Sequence, residues 1–184
     1  QFQVRLLDID NKKCYVAQSN LNYYTDAVVK TDIKVLEEDK RIPLSGCMLA
    51  EGDVLVRKQV AKFKKIKYMS HENVGFGEIF LPEEEMHTRS AVFIFSDESK
   101  SAGAFGRIPD ELKEHVIGRI GSLIKNVCPV FLLCDSLDLG VAERLRDPHF
   151  DEPCIYIYDN YPGGTGLSEG IASKSDLILR SAYE

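Results

Sequence analysis

The chain has 184 residues, and its 23 Lys and Arg against 29 Asp and Glu leave a formal charge of −6 and a sequence pI of about 5.3. Apolar residues make up 44% and charged residues 28%, the balance of a folded domain and far from the depleted composition of a disordered chain. A core at this length buries roughly 70% of the surface that the unfolded chain exposes, so folding demands neither a disulfide nor a metal staple. No run approaches the roughly 20 apolar residues needed to cross a bilayer, and Gln1-Phe2-Gln3-Val4-Arg5 lacks a leader layout, so no membrane partner and a cytoplasmic location are expected. Cys14, Cys47, Cys128, Cys134 and Cys154 are odd in number and form no C-x-x-C pair; they read as reduced thiols of an intracellular protein, and a complete zinc site is not expected. The missing initiator Met and an end at Ser181-Ala182-Tyr183-Glu184, within a helical pattern, suggest a piece of a longer polypeptide.

Residues 1–95 follow a mainly period-two pattern and are expected to form an antiparallel β-rich module. Gln3–Leu6 and Lys13–Ala17 flank a turn signal at Asp8–Lys12. Further strand-like runs lie at Val28–Leu36, Gly46–Ala50, Asp53–Phe63 and Gly77–Leu81, and together they predict a curled or barrel-like sheet. Ser96–Gly106 reads as a loop. Pro109 followed by Asp110 and Glu111 starts a helix, with Pro in the first turn and acids at the positive end of the dipole. Leu112, Val116, Ile120, Leu123 and Ile124 carry it to about Asn126. Pro129–Cys134 and Cys154–Tyr158 are nearly unbroken apolar runs, which predicts two central strands buried on both faces. After the turn cluster Asp159–Gly166, Leu167, Ile171, Ile178 and Ala182 form one stripe of a closing helix, interrupted near Ser173–Ser175. The fold class is α+β, or mixed α/β, with residues 96–184 as a helix–strand–strand–helix unit.

Three constellations could carry chemistry. Pro162-Gly163-Gly164-Thr165-Gly166 stands at a strand-to-helix turn, where the amides of Gly163, Gly164 and Gly166 could accept a phosphate; equally, the glycines could only make a tight turn. The turn is neither a Walker A loop nor G-x-G-x-x-G. Asp135, Asp138 and Asp159 follow the two apolar runs and would hold magnesium if they converged, although Asp is also a common turn former and helix cap. Lys58, Lys62, Lys64 and Lys65, with Phe63 and Tyr68 interleaved, form a basic stretch in an acidic chain. It suits a nucleic-acid backbone, or else the solvated lysines of an edge strand. His71, His87, His115 and His149 are scattered without metal-ligand spacing, and Ser136, Ser168 and Cys134 lack the setting of a nucleophile.

A set of motifs occurs in order along nearly the whole chain: Asn22-Tyr23-Tyr24-Thr25-Asp26, Lys64-Lys65-Ile66, Glu72–Ile79, Leu81-Pro82-Glu83, Met86-His87-Thr88, Phe131–Asp135 with Asp138-Leu139-Gly140, and Ile155–Asp159 with Pro162–Gly166. The set resembles the C-terminal region of superfamily 2 DNA-repair helicases of the mitomycin repair factor type, related to the fungal RecQ4-like helicases. The resemblance implies an accessory region that follows two RecA-like motor lobes and helps them grip DNA, with Cys134, Asp135, Asp138, Asp159 and Pro162 as family motif positions. It also implies a zinc-binding cysteine cluster some 20 residues after the Pro-Gly-Gly turn, about where this chain stops. Zinc, ATP and magnesium would then belong to the parent polypeptide, and no cofactor to this piece. Neither a Walker A loop nor a D-E-x-H box is present, so ATP hydrolysis by the helicase mechanism is not expected of this chain.

The function expected is noncatalytic engagement of DNA, single-stranded, in support of the motor lobes of the same polypeptide. Four lysine–phosphate contacts would give a salt slope near −3. A magnesium-dependent phosphoesterase built on the aspartates, or a protein-interaction scaffold, are the alternatives.

Overall fold

The computed structural model describes residues 1–95 and 105–184, so the Ser96–Ala104 part of the predicted loop lies outside the described residues. The described residues form eight strands: β1 (Phe2–Asp8), β2 (Lys13–Gln18), β3 (Tyr23–Pro43), β4 (Met48–Lys67), β5 (Asn73–Glu78), β6 (Glu84–Ile94), β7 (Leu139–Arg144) and β8 (Cys154–Asp159). Three α-helices, α1 (Asp110–Leu132), α2 (Leu167–Ser173) and α3 (Ser175–Tyr183), complete the described elements with a 3-10 turn at Ser136–Asp138. The architecture is α+β with antiparallel pairing, as the period-two and helical patterns predict.

The chain divides into two units, and the division does not fall at residue 95. One unit comprises Gln1–Lys30 and Gln59–Glu83; the other comprises Thr31–Lys58 and Glu84–Glu184. Strands β3 and β4 are long enough, at 21 and 20 residues, to contribute to both. Here the predicted runs Gly46–Ala50 and Asp53–Phe63 merge into one strand, because Glu51 and Gly52 stay in register with Ala91 and Ser90.

In the first unit β1 and β2 form a separate two-stranded sheet, paired from Phe2↔Gln18 to Asp8↔Lys13 with an irregularity between Val4 and Leu6. Residues of β4 pair with β5. Phe2, Val4, Leu6, Tyr15, Val16, Phe76 and Phe80 are exposed.

The second unit holds both buried apolar clusters of the described residues. Its sheet runs β3-β4-β6-β8-β7, an open path rather than the curled or barrel-like closure expected. Strands β6 and β8 sit inside that path, and each sends alternate side chains to opposite faces. Ala91, Phe93, Ile155 and Ile157 meet Ile117, Ile124 and Cys128 of α1 with Ile171 and Ile178 of the closing helices. Val92, Ile94, Cys154 and Tyr156 build the other cluster with Ile33, Val54, Val56 and Ala142.

The run Pro129–Cys134 is not a central strand. It is the last turn of α1 and its exit: Leu133 adopts a left-handed conformation (φ 54°) and donates its N–H to the Pro129 carbonyl at 3.0 Å. Cys128 is buried, whereas Val130 is 72% and Leu133 92% exposed, so the run presents one helical stripe to the core and not two strand faces. Pro129 has no N–H to donate to the carbonyl of Lys125, so α1 loses one backbone hydrogen bond in its last turns. The second strand of the helix–strand–strand–helix unit is instead β7, on which Leu139 and Ala142 are buried. The closing stripe is two helices broken at Lys174.

Candidate nucleic-acid interface

The Asp159–Gly166 turn lies wholly in the second unit, and its groups are bonded within the chain. Asp159 ends the buried strand β8 and is itself 0% exposed. Its Oδ1 accepts the Ser168 N–H at 2.9 Å and the Ser168 hydroxyl at 2.5 Å, and its Oδ2 accepts the N–H of Thr165 at 2.5 Å and of Leu167 at 3.2 Å. The anion at the start of α2 is therefore the protein's own carboxylate, which satisfies amides that a helix start leaves unpaired. Gly163 donates its N–H to the His87 carbonyl at 2.8 Å, and Gly164 donates to Tyr161 at 3.1 Å. The predicted phosphate cradle is thus changed into a clasp: neither amide is free for a ligand in this arrangement. Thr88 reinforces it, with its hydroxyl between the carbonyls of Asp159 (2.7 Å) and Tyr161 (2.8 Å). Gly166 also has a positive φ (86°) and caps α2.

Asp135 and Asp138 are engaged similarly. The Asp135 carboxylate accepts the Leu137 N–H at 2.8 Å, while Asp138 accepts the Asp135 N–H at 2.9 Å and the Tyr161 hydroxyl at 2.6 Å. These bonds, the Tyr161 hydroxyl foremost, hold the Asp138 carboxyl below the usual carboxylate range. Capping, rather than convergence on an ion, is what the three aspartates do here. Cys134, the motif neighbour, is half-buried; burial and then the nearby Asp138 carboxylate push its thiol up.

The four lysines do not form one stripe within a single unit. Lys58 belongs to the second, where its Nζ donates to Asn160 Oδ1 at 2.8 Å and stands 5.5 Å from the centre of the Tyr158 ring. Burial lowers its pKa, only partly offset by Glu84. Lys62, Lys64 and Lys65 lie in the first unit, on the β4–β5 hairpin. The register pairs Lys62 with Glu78, Phe63 with Gly77, Lys64 with Phe76 and Lys65 with Gly75. Since paired residues share a face, Lys62 and Lys64 lie with Phe76 and Glu78, and Phe63 and Lys65 with the two glycines. A Cβ on residue 77 would meet the Phe63 ring at 2.2 Å, so Phe63 lies flat across Gly77. Lys65 Nζ is 5.7 Å from the Tyr23 ring, and Tyr24 packs on Tyr68 with centroids 5.4 Å apart. Phe76, missed as a site residue in the sequence, is 58% exposed, with Lys62 Nζ 6.0 Å from its ring centre. Its signal is the Gly-Phe-Gly alternation, which clears one strand face and leaves the ring on the other.

Comparison with known proteins agrees with these motifs. Residues 120–184 match the MZB family, the MrfA Zn-binding domain. Over all 184 residues the chain is 39% identical to the ATP-dependent helicase YprA of Bacillus subtilis (strain 168), of which it covers 24%. A crystal structure of the DUF1998 helicase MrfA bound to DNA superposes with a TM-score of 0.69 at 37% identity, over 98% of this chain and 23% of that one. The same helicase with DNA and AMPPNP gives 0.60 at 33%, over 99% of this chain and 21% of that one. The chain thus spans about a quarter of the length of these relatives.

The family's metal does not fit the residues described here. Among them no three His, Cys, Asp or Glu side chains group as ligands. Cys47, Cys128 and Cys154 are buried, and burial pushes the Cys47 thiol up to about 11 and Cys128 to about 12, far from the thiolate that zinc requires. Residues 120–184 nevertheless match the MZB family, and the chain as a whole is similar to about a quarter of the length of YprA and of MrfA.

Proposed function

We propose that this chain is a noncatalytic DNA-engaging accessory region of an ATP-dependent DNA-repair helicase, acting beside the motor lobes of a longer polypeptide. The observation that carries the reading is the β4–β5 hairpin. Between Gln59 and Phe80, four lysines against two glutamates leave +2 in a chain of net −6, and Lys62 and Lys64 are exposed on one face. Similarity to a helicase crystallised with DNA supports polyanion contact as the use of that charge. ATP, magnesium and zinc belong, in this reading, to the remainder of the parent.

Lys62, Lys64 and Lys65 neutralise phosphates. Lys58, already bonded to Asn160, supports the turn instead. The noncatalytic part of the reading is supported by the engagement of Asp135, Asp138 and Asp159 with the chain's own donors. The charge-reversed Lys62→Glu/Lys64→Glu/Lys65→Glu variant should lose most of its DNA affinity in fluorescence anisotropy, and unchanged affinity would sink the reading. Incubation with labelled DNA and magnesium or manganese should leave the DNA intact. Cleavage abolished by Asp135→Asn and by Asp159→Asn, in variants whose melting shows them still folded, would instead establish the phosphoesterase.

A further inference from the structure

We infer that Phe76 is a base-stacking platform, and that the Lys62–Lys64–Phe76 face of the β4–β5 hairpin takes a single strand of DNA with its bases unpaired. The inference rests on the DNA-engaging reading above and names the form of nucleic acid that this face selects.

The two phenylalanine rings on the paired strands of the hairpin are disposed in opposite ways. Phe63 is half-buried and lies against Gly77. Phe76 has no such seat: it is 58% exposed in the middle of a paired strand, opposite Lys64 and with Lys62 Nζ 6.0 Å from its centre. An exposed apolar ring gains free energy when a ligand covers it. What could cover it must also suit the Lys62 ammonium 6.0 Å away and the cross-strand Lys64, which disfavours a purely apolar protein partner. A nucleotide meets both demands, with the base on the ring and its phosphate on a lysine. A duplex meets only one, because its bases are already stacked on each other and offer no free face. This face carries Lys62 and Lys64 against Glu78, a net positive charge in a chain of net −6.

The test uses the 184-residue chain and a labelled oligothymidylate about a dozen nucleotides long, a length within the site sizes of single-strand binders. Phe76→Ala should weaken binding by about tenfold, while Phe76→Tyr should stay within about twofold, since stacking needs the ring and little else. A blunt duplex of the same length should bind the wild-type chain at least about tenfold more weakly than the single strand. With 2-aminopurine in the strand, wild type should quench its fluorescence on binding and Phe76→Ala should not. Thermal melting of both variants should match wild type, because the ring is exposed. If Phe76→Ala binds like wild type while the triple lysine reversal does not, the stacking platform is refuted and backbone contact stands. If neither variant loses affinity, both readings fall.

Discussion

Asp159 Oδ1 accepts the backbone N–H of Ser168 at 2.9 Å and so ties the end of a buried strand to the start of α2. A carboxylate can accept all the donors aimed at it. An amide of the same shape offers two donors of its own and only one oxygen. Asp159→Asn should therefore cost about 3 kcal/mol of unfolding free energy in a denaturant titration, because it leaves buried donors unpaired or opposed. A loss below about 1 kcal/mol would mean that the clasp is not what holds this turn.

Gly164 and Gly163 share φ near +79°, yet they differ in what a side chain would meet. A Cβ on Gly164 would reach Arg89 Cγ at 2.4 Å, and one on Gly163 would meet nothing within 4 Å. Gly163→Ala should cost about 1 kcal/mol, the strain of a left-handed non-glycine. Gly164→Ala should cost about 1–2 kcal/mol more, since Arg89 is held by Asp39 at 2.6 Å, Asp53 at 3.1 Å and Glu169 at 3.0 Å and does not yield freely. Paired urea titrations of the two variants measure the difference.

Stability should fall as the solution becomes alkaline. Burial pushes the Cys47 thiol up to about 11 and the Cys128 thiol up to about 12, above the 9.0 of a free thiol, so both stay protonated in the folded chain where the unfolded chain ionises. Above about pH 9 the unfolded chain gives up protons that the folded chain retains, so the folded state binds more of them and unfolding is favoured by rising pH. Each such thiol steepens the slope by about 1.4 kcal/mol per pH unit. Melting temperatures across the alkaline range check this, and Cys128→Ala, although less stable throughout, should show a shallower decline.

Three phosphate contacts, not four, follow from Lys58 being bonded to Asn160. The logarithm of single-strand affinity against the logarithm of salt should then have a slope of about −2. Lys58→Ala should leave that slope unchanged and lower the melting temperature slightly. Lys64→Ala should do the reverse. A slope that drops equally in both variants would restore the four-lysine stripe.

Much of this protein is legible in its sequence. The α+β class, the helix starting at Pro109, the buried strand Cys154–Tyr158 and the break near Lys174 all follow from local pattern, because periodicity and turn chemistry are properties of neighbours in the chain. Other features depended on long-range pairing. Pro129–Cys134 has the composition of a buried strand, and only packing on the sheet makes it a helix stripe with Val130 and Leu133 outward. Register with β6 joins two predicted strands into β4. Which carboxylate meets which amide is set where β8 delivers Asp159 to the turn, and that turns an anion-binding motif into a self-satisfied clasp. The alternation of lysines was readable from the sequence, but the face they share with Phe76 exists only because β5 pairs beside them.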